Sequence, residues 1–514
     1  MDEGILPHLD QLRREGAWGP LATIFPPVTA PAWLALATGL NPGKTGVFDY
    51  INKATPDGTR MVSISSFYYK DRALWNYLNQ KNITVGIFNY PTLSPPPQVL
   101  GFSVSGIGKY ESEPLTYPPE LEQVLGKITG GYTLKLNLRS PRYKRDIRLF
   151  FDDLDLLMDK QWRALRFLVR ERPWDFFFAV FSFTDWMQHI LWKDIDPRHP
   201  LHDPKASPAV MKKYKETWRK IDGMIGDLLS FIGYGTQFLL VSDHGAGPLD
   251  SVFYANTWLA QKGWLKKKQL GWRGFLADKL RLLSEGFDNK YYSAFLQRIK
   301  TKLVKIHGTE DLIDTENSLA YSPEHNTMFG CVTLTPRGKA QTGFREELIR
   351  AINELPKAFE GIDHVSVYLP EDIYSGSCIN LAPDIFFVLN QYRSTCEIDF
   401  SRQAFVPAPS LVMRTGGHLP NGVFVARGSA FKKGRYDGLS ILDVAPTILA
   451  LYDVDIPPQM DGKVMARCLL PDVLASINVQ ASQTDTTTEP KQQLPQDEAG
   501  VDETRKMLKS LGYL

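Results

Sequence analysis

Three short apolar runs, Thr84–Asn89 (TVGIFN), Phe176–Phe183 (FFFAVFSF) and Gln237–Ser242 (QFLLVS), constrain the fold more than any other feature of the chain. Each is far shorter than the roughly twenty residues a membrane-spanning helix needs, and each is apolar on both alternating faces, as a buried strand is. An amphipathic segment precedes every one of them: Asp71–Asn79, then Leu149–Arg170, then Ser207–Phe231 with Val210, Tyr214, Ile221, Ile225 and Leu228 on one side. Helix and buried strand in alternation predict a doubly wound α/β sheet with helices on both faces. Ligands of such sheets sit beyond the carboxyl ends of the strands. Polar residues gather there: Thr184 and Asp185 follow the second run, and Asp243 and His244 follow the third.

The remaining organisation is read from pattern. DEGILPHLDQLRREGAWG fits a short amphipathic helix through Leu9 and Leu12, ending at Gly16. Segments at about 101–148 and 256–330 lack the buried-strand signature and are expected to be inserted caps. The core is expected to resume with a helix at Phe344–Glu354, strands at His364–Tyr368, Asp384–Leu389 and Val423–Ala426, and a helix at Leu442–Leu451. MDGKV at Met460–Val464 reads as a closing turn. One catalytic domain over 1–470, a Gln/Thr/Ser/Pro-rich linker over 471–502 and a short helix over 503–514 complete the expected organisation.

Charge and cysteine content exclude several classes. A formal net charge of +2 over 514 residues gives no general attraction to nucleic acid or anionic membrane, and the basic runs Arg139–Arg148 and Lys266–Lys268 read as solvated faces. Cys331, Cys378, Cys396 and Cys468 form no CxxC pair and no dense disulfide framework, so a reducing, cytoplasmic setting is expected.

Thr29 lies in IFPPVTAPAWLALATGLNPGKTGVFDY (Ile24–Tyr50), just before Pro31 and a short apolar segment closed by Gly39. It can be a helix N-cap without chemistry, or a nucleophile at a helix start whose N–H groups and dipole favour a phosphate. Asp185 and His189 are four apart in TDWMQHILW, so a helix beginning past the strand would put both on one face. Asp243 and His244 precede the small residues Gly245–Gly247, and His418 sits among glycines. Carboxylate and imidazole at neighbouring strand ends suit Zn²⁺ or Mn²⁺ better than Mg²⁺. Two such ions about 3.5 to 4 Å apart would serve an attacking and a leaving oxygen.

The succession PPVTAPAWLALATGLNPGKTG, TDWMQHILW, VSDHGAGP, GGHLPNGVFVARG and LDVAPTILALYDVDIPPQMDGKV, over about residues 4–468, resembles the type I phosphodiesterase/nucleotide pyrophosphatase branch of the alkaline phosphatase superfamily. It resembles in particular members described as predicted phosphohydrolases or phosphomutases. The resemblance implies an alkaline-phosphatase-like fold, two divalent metal ions with zinc ahead of manganese, and a covalent phospho-threonine on Thr29. It implies that Asp185, His189 and His418 hold one ion and that Asp243, His244 and the Thr29 oxygen belong to the other. It also implies departures. The family pattern opens with a buried strand ending in a ligating Asp, for which Asp2 is a poor substitute, so an N-terminal truncation, a misplaced start, or a site with an incomplete ligand shell is expected. Tyr50 stands where nucleotide-cleaving relatives often carry Asn.

These readings converge on a metal-dependent hydrolase of phosphoric esters acting on a small-molecule phosphate ester or nucleotide. A phosphomutase or phosphotransferase of the same superfamily, or an inactive binding protein lacking its first ligand strand, are the alternatives. A sulfatase is disfavoured, because Trp33 stands where that branch has an Arg.

Overall fold

The computed structural model describes residues 3–56, 58, 60–233, 235–268, 312–407, 414–477 and 499–511. The chain divides into two compact units, Met1–Pro248 with Tyr374–Ala382 and Leu411–Leu514, and Leu249–Ile373 with Pro383–Ser410.

The first unit is α/β. Val85–Tyr90 lies between Gly101–Ser105 and Phe176–Ala179, parallel to both, because each of these strands returns through a crossover rather than a hairpin. Gly86 has no room for a side chain: a Cβ there would fall 2.6 Å from the Phe102 ring and 2.9 Å from that of Phe177. In a second sheet Asn421–Arg427 is antiparallel to both Ala17–Ala22 and Phe238–Val241. Neither Phe176–Ala179 nor Phe238–Val241 has more than one ladder partner among the described residues.

Alternation along the strands distributes helices to both faces. Phe88, Phe102 and Phe177 pack with Leu165 and Leu168 of the long helix Arg148–Glu171. Phe178, pointing the other way, meets Trp33 at 6.0 Å between ring centroids, and Tyr90 meets Trp33 at 5.3 Å. Trp33 belongs to the helix Thr29–Thr38, all ten residues of which are buried. The Tyr90 hydroxyl donates to the Trp33 carbonyl at 2.7 Å, so the buried phenol is satisfied and the helix is pinned to the strand. Its far end closes on MDGKV, as expected: Asp461 donates its N–H to the Gly39 carbonyl, and its carboxylate accepts from the Asn41 N–H.

The second unit has its own antiparallel sheet, in the order Ala320–Tyr321, Gly330–Leu334, Ile385–Leu389, Val365–Tyr368. Phe344, Leu348 and Ile352 of the helix Phe344–Asn353 pack on it, with Phe253, Phe387 and Leu389. Elements read from sequence as the resumed core, the helix near 344–354 and the strands near 364–368 and 384–389, therefore belong here, beyond the 256–330 segment expected as a cap. An apolar run announces a buried strand but says nothing of its partner or direction. In the same way Gly101–Ser105, read as the start of an insertion, is a sheet strand, its polar Ser103 and Ser105 satisfied by the carbonyls of Pro97 and Leu93. Residues 269–311 and 478–498, within the expected second cap and linker, lie outside the described residues; 471–476 and 499–511 are helical. No helix among the described residues is long and apolar enough to cross a membrane.

Candidate active site

Thr29 is the first helical residue, and Val28, extended at φ −118° and ψ 137°, holds the cap position. The threonine is therefore not an N-cap. Its Oγ1 lies 3.5 Å from His244 Nε2, and the buried Tyr50 hydroxyl is its neighbour. Burial raises the Tyr50 pKa far above the phenol range, so this hydroxyl keeps its proton and is able to donate.

The helix Phe183–Ile195 starts four residues after the strand ends and carries Asp185 in its first turn, where the dipole favours an anion. One helical turn on, His189 Nε2 comes to 3.0 Å from Asp185 Oδ1. His418 arrives from the antiparallel pair formed by Gly245–Pro248 and Gly416–Leu419, in which it faces Ala246. The glycines are required there for close backbone approach: a Cβ on Gly245 would fall 2.2 Å from the Asn421 carbonyl oxygen, and one on Gly416 2.2 Å from that of Gln188. This pairing brings the His418 ring onto that of His244, at 3.5 Å between centroids and 19° between planes. His418 Nε2 is then 3.1 Å from His189 Nε2 and 3.5 Å from Asp185 Oδ1. All six residues expected from sequence, Thr29, Asp185, His189, Asp243, His244 and His418, meet at one place.

Backbone carbonyls fix the tautomers. His189 Nδ1 lies 2.7 Å from the Gly416 oxygen, His418 Nδ1 2.7 Å from that of Pro27, and His244 Nδ1 3.0 Å from that of Gly245. A carbonyl only accepts, so in each ring Nδ1 carries the hydrogen and Nε2 turns its lone pair to the site. Burial, with the positive charge of Arg414, lowers the His189 pKa, and burial with His244 lowers that of His418 further, which keeps both rings neutral.

The donor set fits a divalent cation. Asp185, His244 and His418 each offer a donor atom, all within 4.8 Å of one another. Asp185 Oδ1, His189 Nε2 and His418 Nε2 form a triangle with sides of 3.0, 3.1 and 3.5 Å. Donors bound at zinc distances to one tetrahedral ion lie about 3.3 Å apart. Three lone-pair atoms this close repel one another unless a proton or a cation sits among them. Asp243 Oδ2, 3.3 Å from His244 Nε2, extends the set toward Thr29.

Asp243 makes the site pH-dependent. Burial, and behind it the charge of Asp185, pushes its pKa up to about 6, although His244 pulls the other way. A folded-state carboxyl pKa above the ordinary value means that the metal-free native state holds a proton the unfolded chain has lost. This contribution to stability is present at low pH and is lost as pH rises through about 6. A cation competes with that proton. Zinc is therefore expected to raise the melting temperature more at pH 7.5 than at pH 5.5, as thermal denaturation of chelator-treated and zinc-loaded protein would show.

Two contacts escaped the reading of the sequence. The sequence marks Tyr50 only as a departure from Asn, and for Arg414, buried against His189, its place four residues before His418 is the one local signal.

An α/β unit with a threonine at a helix start and this carboxylate–imidazole cluster belongs among the hydrolases of phosphoric esters. The chain is a member of the type I phosphodiesterase/nucleotide pyrophosphatase family, whose model matches residues 1–390. It is a phosphodiesterase-family enzyme. No curated protein matches it. Among solved structures it is similar to human ectonucleotide pyrophosphatase/phosphodiesterase 5, with a TM-score of 0.48 and 13% identity, over 90% of this chain and 94% of that one.

Proposed function

We propose that the chain hydrolyses phosphodiester or nucleotide pyrophosphate bonds through a phospho-threonine on Thr29. The observation that carries this reading is the Thr29 hydroxyl, released from capping by Val28 and set 3.5 Å from His244 Nε2 in a buried donor cluster. Asp185, His189 and His418 would hold one divalent cation; Asp243, His244 and the Thr29 oxygen would hold a second, zinc ahead of manganese. When bound, such ions neutralise phosphoryl oxygens and lower the proton affinity of hydroxyl and water.

Thr29 Oγ1 forms a bond to phosphorus as the bond to the leaving oxygen breaks, and the threonine proton is accounted for on the departing alcohol or phosphate. Water then attacks the same phosphorus, breaks the Thr29–phosphorus bond and restores the hydroxyl. The buried Tyr50 hydroxyl, which keeps its proton, lies beside Thr29. The N–H groups of Thr29 and Ala30, at the start of the helix, would be available to phosphoryl oxygens; Pro31 has none to offer.

The test is direct. Zinc-supplemented protein should carry close to two ions per chain by elemental analysis and should cleave bis-(p-nitrophenyl) phosphate, and acid quenching during turnover should leave a p-nitrophenyl phosphoryl group on the peptide containing Thr29. Protein that folds but neither takes up a divalent metal nor cleaves the ester would overturn the reading.

A further inference from the structure

The helix that begins at Thr29 is entered through Phe25, Pro26, Pro27 and Val28, a run in which two successive residues have no N–H to give. Such a run cannot be held as a ladder strand is, and its carbonyls fix it instead. Pro26 accepts from the Val28 N–H at 2.8 Å, Pro27 from His418 Nδ1 at 2.7 Å, and Val28 from the Ala32 N–H at 3.0 Å in the first turn of the helix. The Phe25 carbonyl accepts from the Tyr374 hydroxyl at 2.9 Å. Tyr374 is buried, and its ring lies 5.2 Å from that of Phe48, two residues before Tyr50.

Tyr374 opens the segment Tyr374–Ala382, which belongs to the first unit although the chain on either side of it belongs to the second. The same segment is fastened to the loop that follows the helix Thr29–Thr38. Cys378 donates its N–H to the Gly43 carbonyl at 2.8 Å, and Ser375 Oγ accepts from Asn41 Nδ2 at 3.0 Å. The backbones touch there: a Cβ on Gly43 would fall 2.6 Å from the Ser375 carbonyl oxygen, and one on Gly376 2.6 Å from that of Gly43. One segment therefore grips the chain both before and after the nucleophile helix, and the Tyr374 hydroxyl makes the grip on the Thr29 side. Because the proline rings fix φ at both intervening residues, the Phe25 and Pro27 carbonyls move together. A displaced Phe25 displaces the acceptor of His418 Nδ1 and the residue that precedes Thr29.

We propose that, on the hydrolase reading above, Tyr374 is a positioning residue: by holding the Phe25 carbonyl it sets the proline pair, and through the pair both the Thr29 oxygen and the His418 ring. It is tested in the zinc-loaded full chain with Y374F, which keeps the ring against Phe48 and removes one donor. The control is S375A, which removes an acceptor from the same segment at the other end of the helix. The readouts are kcat and KM for bis-(p-nitrophenyl) phosphate, the melting temperature, and the nitrogen–proton signal of His418 Nδ1 in protein labelled with ¹⁵N on histidine. Y374F is expected to lower kcat roughly tenfold with KM held within about twofold, and to shift the His418 signal. S375A is expected to lower the melting temperature by a similar amount while keeping kcat within about twofold of wild type and leaving the His418 signal in place. Y374M, which keeps an apolar contact with Phe48, carries the test if Y374F does not fold. Equal losses of kcat in Y374F and S375A would make the segment a general brace and overturn the proposal, as would an unchanged kcat or an unmoved His418 signal in Y374F. A wild type that binds no zinc and cleaves nothing defeats the hydrolase reading itself; a working wild type whose kcat survives both Tyr374 substitutions defeats only the role of Tyr374.

Discussion

Thr29→Ala, loaded with zinc, is expected to lose at least about a thousandfold of phosphodiester turnover. The residue is buried but small, and it makes no cap, so its removal should leave the helix Thr29–Thr38 in place, pinned to Tyr90 through Trp33. Circular dichroism and melting temperature should stay close to wild type, and the ion at Asp185, His189 and His418 should be retained. Thr29→Ser restores a hydroxyl and should recover a measurable part of the rate. If the alanine variant turned over at a comparable rate, covalent chemistry on Thr29 would be ruled out, and direct attack by water would have to replace it.

Asp185→Asn is expected to have the second large effect, through the metal. The substitution keeps shape and removes the one charge in the triangle with His189 and His418, so zinc affinity should fall by roughly a hundredfold or more, with turnover falling alongside. Zinc at about a hundred times its Kd stabilises a native protein by about 2.7 kcal/mol. In the variant most of that stabilisation should vanish at the same zinc concentration, while the metal-free melting temperature changes little. Calorimetric titration and denaturation with and without zinc check both halves. A variant that bound zinc as wild type does would remove Asp185 from the metal site.

How far sequence carries in such a chain depends on the range of the interaction. Asp185 and His189 were legible because the i,i+4 spacing of a helix is local, and Asp243 and His244 because the end of a buried run is local. His418 was legible only by its company, and the strand pairing that delivers it onto His244 depends on the backbone contact between Gly245 and Asn421. Thr29 misled as a cap, since Val28 adopts the extended conformation that Thr29 has the side chain to suit. Arg414 reaches His189 across 225 positions, a separation over which no periodicity operates. The second unit was illegible for the same reason: Val365–Tyr368 and Ile385–Leu389 look like any buried strands until their antiparallel pairing is seen.

The three histidines owe their protonation pattern to the carbonyls of Gly416, Pro27 and Gly245, and a carbonyl is common to all twenty residue types. The tautomer of each ring is therefore inherited from the path of the main chain. A shift of the Gly416–Leu419 ladder by a single residue would silence the site with every one of its donors still present.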